Sequence, residues 1–198
     1  MFELLTVFCA AYLIGSIPTG YIIVKLARGE DIRKIGSGST GATNVKRVMG
    51  KTWFFITMLL DAAKGALPVI LTKIFTSAFA DIGLLPVIAA VAVILGHSKS
   101  IFLNFTGGKS VASGIGTILA LNFQTGLIIA IIWAAITYFS KYVSLGSIIA
   151  MACAPVLMYL FHEPAAYIGY CVLGAVYIIW LHRTNIVRLV KGEENKVR

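Results

Sequence analysis

Apolar residues run along this chain in long uncharged stretches, separated by short polar ones rich in glycine. Residues 4–24 and 142–162 are each 21 positions without Asp, Glu, Lys or Arg, and residues 164–181 add 18 more. A helix needs roughly 20 apolar residues to cross the hydrocarbon core of a bilayer, so each run predicts a span. Residues 52–72 predict another, interrupted by Asp61 and Lys64, and residues 82–98 a shorter one. The stretch 110–140 holds 31 residues and no charge. It reads either as one long tilted helix or as two short ones hinged at Asn122-Phe123-Gln124-Thr125-Gly126.

The distribution of basic residues decides between these. Cytoplasmic loops of membrane proteins carry an excess of Lys and Arg. With the hinge there are seven spans, and 15 basic residues fall on one side against Lys73 alone on the other. Without it there are six spans and the split is 9 against 7. The chain therefore predicts an all-α integral membrane protein of seven transmembrane helices, with the N-terminus outside and the C-terminus cytoplasmic. Only this topology brings every glycine-rich polar stretch to one face.

Composition fits. The chain is 59% hydrophobic and 13% charged, whereas soluble domains sit near ~45–50% and ~25%. That leaves no room for a separate soluble domain, and residues 1–198 read as one transmembrane domain. The first basic residue is Lys25, so the start lacks the basic region of a signal peptide and reads as a retained span. Cys9, Cys153 and Cys171 lie singly in apolar runs with no metal-ligand spacing, and read as small hydrophobes. Gly15-Ser16-Ile17-Pro18-Thr19-Gly20 in the first span predicts a kink or a close helix contact.

Three polar stretches carry the candidate chemistry: GSGSTGATNVKRVMG at 36–50, GGKSVASGIG at 107–116 and HRTNIVRLVKGEE at 182–194. Flexible backbone, hydroxyls, amides and fixed positive charge together suit a phosphate. In the first, Gly36, Gly38 and Gly41 let main-chain N–H groups converge. Ser39 and Thr40 are natural caps for a short helix toward Gly50, whose N-terminus, with Thr43 and Asn44, would attract an anion. Arg47 would clamp a phosphate bidentately. The alternative is a loop whose charges only satisfy topology.

Gly107-Gly108-Lys109-Ser110 is not a nucleotide P-loop, because Leu103 stands where that motif needs its first glycine. What remains is backbone that can approach an anion, with Lys109 as a point charge. His182 has Asn185 at i+3, with Arg183 and Arg188 nearby, a set that suits a phosphorylated alcohol. His97 and Glu194 read as structural, as does an Asp61–Lys64 pair at i,i+3, although intramembrane charges are also often functional. Ser144, after Lys141, adds a hydroxyl. No His is followed five residues later by Asp: Phe102, Tyr167 and Val187 occupy those positions.

The same stretches, with YLIGSIPTGYII, DAAKG, the GH at 96–97, FTGGKSVASG and YVSLGS, resemble the bacterial acyl-phosphate:glycerol-3-phosphate acyltransferases, the PlsY family. The resemblance covers nearly the whole chain. It implies a seven-helix enzyme of the bacterial inner membrane, active at the cytoplasmic face. Such an enzyme moves a fatty acyl group from acyl phosphate to glycerol 3-phosphate, giving lysophosphatidic acid and phosphate. No metal, cofactor, nucleic acid or obligate protein partner is implied, only the two substrates and membrane lipid.

By the resemblance, Ser37 and Arg47 match the first motif, Gly107, Gly108 and Lys109 the second, and His182, Asn185 and Glu194 the third. This gives Arg47, Lys109, His182 and Asn185 as catalytic candidates. Ser37, Gly38, Gly41, Thr43 and Asn44 are expected to bind substrate, and so are Gly107, Gly108, Ser110, Ser144 and Arg183. Ser39-Thr40 replaces a common Asn-Pro, Lys99-Ser100 lacks a usual proline, and Ser110 replaces a common glycine. A carrier for phosphorylated metabolites is the rival class. Carriers commonly bind near the midplane and repeat internally, whereas here the anion groups gather at one face and no half repeats. A lipid phosphate phosphatase fits less well, for want of a nucleophile-and-acid set.

Overall fold

The computed structural model describes residues 2–76 and 83–197. Their regular structure is helical, apart from an isolated bridge pairing Ser100 with Thr106. The chain divides into two compact units, Met1–Thr117 and Ile118–Arg198.

In the first unit, α1 (Phe2–Ser16) and α2 (Thr19–Arg28) are separate helices. Pro18 has no N–H to donate and pushes Ile17 out of helical geometry, so the span breaks there. The Ile17 carbonyl accepts from the Thr19 N–H at 3.0 Å and from Lys64 Nζ at 2.7 Å. Helix α3 (Ala42–Met49) leads into α4 (Lys51–Thr76), which carries Asp61, Lys64 and an internal Pro68. Helix α5 (Leu84–Ser98) lies along α1, with Gly96 against the Tyr12 carbonyl and the backbone of Ser16. Ile82, the expected start of this span, lies outside the described residues. Val24, Ile32 and Val45 form a buried apolar pin beneath the first polar loop, flanked by Tyr21, Val48, Met49 and Trp53. The unit boundary falls within α6 (Val111–Leu121).

The second unit holds α7 (Phe123–Ser140), α8 (Val143–Leu160), α9 (Ala165–Leu181) and α10 (Arg183–Val190). The expected hinge is present but narrower than the sequence suggested. Only Asn122 leaves the helix, and its side-chain oxygen accepts from the Thr125 N–H at 2.7 Å, which starts α7 at once. The amide nitrogen of Asn122 donates to Glu163 Oε1 at 2.6 Å, tying the α6–α7 turn to the α8–α9 turn. At the opposite ends of α7 and α8, the Val197 N–H donates to the Lys141 carbonyl at 2.8 Å.

Among the described residues four segments meet the length and apolarity needed to cross a bilayer: Phe2–Arg28, Lys51–Phe75, Phe123–Ser140 and Val143–Leu160. A fifth is reached if α9 and α10, bent by 61°, count together. Helices α5 and α6 are apolar but shorter. Helix α5 begins at Leu84, and α6 stops at Leu121 against the Asn122 break, so each is shorter than a full crossing.

Candidate functional site

In the first unit the polar loop is built on Asn44, which is 1% exposed. Its amide nitrogen donates to the Ile35 and Ser39 carbonyls, both at 2.9 Å, and its oxygen accepts from the Ser37 N–H at 3.0 Å. Asn44 is thus the loop's frame, a correction to its expected place among direct substrate ligands. Gly36 and Gly38 have φ of 61° and 70°, which is why glycine stands there. Ser39 and Thr40 do not cap the helix as expected. Gly41 is the N-cap, in extended geometry, while Ser39 Oγ accepts from the Gly41 N–H at 3.3 Å and Thr40 is buried. Thr43 lies in the first turn of α3. Ser37 is exposed, as is Arg47, whose stem passes beside Gly36.

Charge at the base of the loop is organised by Asp31. Arg33 grips its carboxylate with two nitrogens, Nε to Oδ1 at 3.0 Å and Nη2 to Oδ2 at 2.7 Å. The hydrogen bond from Arg33 holds Asp31 down to about 2. Lys46 lies over the Phe54 ring at 5.9 Å, and burial, then the neighbouring Lys51, lower its pKa.

The second polar stretch folds against His97. The Gly108 N–H donates to the His97 carbonyl at 3.1 Å, and the Gly108 Cα lies so close to the ring that a methyl there would strike Nε2. Nδ1 of His97 is 3.2 Å from Ser113 Oγ and 3.6 Å from Asp61 Oδ1. Asp61 also accepts from Thr19 Oγ1 and from Lys64 Nζ, the latter at 2.8 Å. The expected Asp61–Lys64 pair is therefore real, and it joins a larger buried network. Lys109 is half-buried. Ser110 adopts φ 60° and donates to the Ile94 carbonyl at 2.9 Å, so its hydroxyl holds backbone rather than substrate, again a correction. That positive φ is the reason glycine suits this position.

In the second unit Glu194 is the hub. Its carboxylate accepts from Ser144 Oγ at 2.9 Å, Asn185 Nδ2 at 2.6 Å and Arg188 Nε at 2.7 Å. Burial raises its pKa, but the hydrogen bonds from Arg188, Asn185 and Ser144 outweigh that and leave it below its ordinary value. Glu194 brings Ser144 and Asn185 together. His182 and Asn185 do not share one continuous helix: the chain bends by 61° at His182, between α9 and α10. Nδ1 of His182 sits 2.8 Å from the Ile178 carbonyl. Arg183 is exposed and stacks on the half-exposed Trp180, 4.4 Å from the ring centroid, with Nη1 donating to the Trp180 carbonyl at 3.2 Å.

Thr19, Ser113 and the Ile17 carbonyl were not anticipated. Ser113, a hydroxyl inside an apolar helix, was the one signal available. Among the described residues no cluster of three or more His, Cys, Asp or Glu is placed to hold a metal.

Fold and side chains define a helical integral membrane protein with a polar cluster in each unit. The family profile described as Glycerol-3-phosphate acyltransferase matches residues 5–192. Glycerol-3-phosphate acyltransferases of Trichormus variabilis and Desulforamulus reducens are each 44% identical, covering 94% of this chain and 88% and 92% of their own lengths. Two crystal structures of PlsY, an integral membrane glycerol 3-phosphate acyltransferase, each cover 98% of the chain. The glycerol 3-phosphate form has a TM-score of 0.91, 34% identity and 96% coverage of its own chain. The lysophosphatidic acid form has 0.89, 33% and 95%. This chain belongs to the glycerol-3-phosphate acyltransferase family.

Proposed function

We propose that the protein transfers a fatty acyl group from acyl phosphate to glycerol 3-phosphate in phospholipid synthesis. The observation that carries this reading is its likeness, over nearly the whole chain, to an enzyme crystallised with that acceptor and with the acylated product. The glycerol hydroxyl attacks the acyl carbonyl, the bond to the phosphate oxygen breaks, and phosphate leaves with the electron pair. An acyl phosphate is already activated, so no acyl-enzyme is needed. The protein's task is positioning and electrostatic stabilisation.

In the first unit Arg47 and Ser37 bind phosphate oxygens together with the first-turn amides of α3, including that of Thr43, and Gly38 and Gly41 shape their approach. Lys109 and the Gly107–Gly108 backbone supply further positive potential. In the second unit Asn185 and His182 serve the acceptor, with Glu194 and Ser144 fixing Asn185. His182 is either the base for the hydroxyl proton or an orienting group, the proton then passing to the departing phosphate.

The topology we propose is seven spans with the N-terminus outside and these groups at the cytoplasmic face of the bacterial inner membrane. The 15-to-one division of basic residues supports it. So do the ties of Asn122 to Glu163 at one end of the second unit's helices and of Val197 to Lys141 at the other.

The test is phosphate release by purified, detergent-solubilised protein given palmitoyl phosphate with and without glycerol 3-phosphate, beside palmitoyl-CoA. Turnover requiring both substrates, with lysophosphatidic acid formed and little use of the CoA ester, is expected. Binding of glycerol 3-phosphate without any turnover would put the carrier reading in its place. His182→Gln then separates the two roles of His182. A general base loses about 10²–10⁴-fold in rate, whereas near-normal turnover with weakened glycerol 3-phosphate binding leaves an orienting role.

A further inference from the structure

The turn carrying Lys109 has no regular structure of its own, so its position must come from what it leans on. Gly107 sits on the His97 carbonyl and the Ser98 backbone, and Gly108 on the His97 imidazole. The ring is in turn fixed from behind. Ser113 Oγ and Asp61 Oδ1 both face Nδ1, and Asp61 is held by Thr19 and Lys64. His97 is 7% exposed, with its two nitrogens facing Gly108 on one side and Ser113 and Asp61 on the other. Such a ring acts through the loop and not on substrate.

We infer that His97 is a positioning residue of the acyl-transfer reaction: braced by Asp61 and Ser113, its imidazole is the wall against which Gly107–Gly108 folds, and it thereby sets the place of Lys109. The inference rests on the acyltransferase reading. Its chemistry follows from size and hydrogen bonding. Removing the ring lets the turn sink toward α5, and adding a methyl at Gly108 pushes it away. A displacement of about 1 Å at a reacting phosphate is enough to cost about 10²-fold.

The experiment measures kcat and KM for palmitoyl phosphate and glycerol 3-phosphate in wild type, His97→Ala, His97→Asn, Gly108→Ala and the double His97→Ala/Gly108→Ala, with folding monitored by melting in detergent. The expected result is a KM for at least one phosphorylated substrate raised about tenfold or more in His97→Ala and in Gly108→Ala, in line with a misplacement of well under 1 Å. His97→Asn, whose amide nitrogen falls near Nδ1, should recover part of the loss. The double variant should be no worse than the poorer single one, because the methyl then occupies space the ring has left. A defect of folding alone lowers the active fraction and leaves KM unchanged. That result, or additive losses in the double variant, overturns the inference. Should His97→Ala fail to fold, Ser113→Ala and His97→Asn give the same reading through Nδ1: a raised KM in Ser113→Ala sustains the inference, and wild-type KM in both overturns it. Absence of wild-type turnover sinks the acyltransferase reading instead. In that case glycerol 3-phosphate affinity decides, a weakened Kd in His97→Ala sustaining the positioning role and an unchanged one overturning it.

Discussion

Replacing Glu194 by Ala removes the acceptor on which three donors of the second unit converge. Ser144 and Asn185 are buried, at 4% and 7% exposure, whereas the Arg188 side chain is 37% exposed and can turn to water. A hydrogen bond to a charged group is worth about 1.5–3 kcal/mol, so the two buried donors together lose ~3–6 kcal/mol. The Arg188 pair adds at most ~1 kcal/mol, being partly solvated. This energy holds the segment after α10 against α8, where the Val197 N–H meets the Lys141 carbonyl. At 1.4 kcal/mol per tenfold, docking should weaken by about 10²-fold or more. Amide hydrogen exchange at Val197 reads that equilibrium directly, and turnover should fall with it as Asn185 loses its support. Glu194→Gln, isosteric but neutral, should lie between wild type and Ala. The pH dependence follows from the sign of the shift. A carboxylate whose pKa is lowered on folding stabilises fully above its ordinary value of 4.5 and loses that contribution as pH falls through the folded value. Protection at Val197 should therefore hold from pH 7 to 5 and fail only below that range. Exchange in Glu194→Ala within threefold of wild type would refute the reasoning.

Asn122→Ala should lower the melting temperature by the equivalent of about 1 kcal/mol for the lost cap, plus the bond to Glu163. A calorimetric scan in detergent showing no change would rule out Asn122 as the hinge. Asp61→Ala leaves the Lys64 cation buried and should cost roughly 3–5 kcal/mol. Asp61→Leu/Lys64→Met should recover part of that, and equal melting temperatures for the single and double variants would contradict the pairing. Arg47→Lys should raise KM for glycerol 3-phosphate about tenfold, because a point charge cannot replace a bidentate fork. A KM within twofold of wild type would remove Arg47 from the phosphate.

What the sequence conveyed was local. The apolar runs at 4–24, 52–72 and 142–162 reappear as helices, and the Asp61–Lys64 pair was legible because both partners lie on one turn of α4. The break near Asn122 was not legible from its own residues, which left one long helix open; the distribution of basic residues decided it. Contacts across the chain were not legible either. Ser144 and Glu194 are fifty residues apart, and nothing in either neighbourhood marks the other. Asn44 looked like a ligand because amides suit phosphates, but its donors were already taken by carbonyls of a loop whose path the sequence does not reveal. Helix α3 begins at Ala42 because Asn44 and the buried Val45 pin the chain there, a tertiary cause that outweighs the capping preference of Ser39 and Thr40.

The corner at Pro18 bears on how the protein is assembled. Asp61 and Lys64 lie one turn apart on the same helix, so α4 enters the bilayer with its charges already neutralised against each other. The first span has no such provision. Its Ile17 carbonyl acquires the Lys64 ammonium, and Thr19 the Asp61 carboxylate, only when α4 arrives beside it. Insertion of α1 and α2 therefore leaves an unfinished joint, and docking of the next hydrophobic helix to emerge completes it. The helix that follows the first span in synthesis thus carries both groups that its corner lacks.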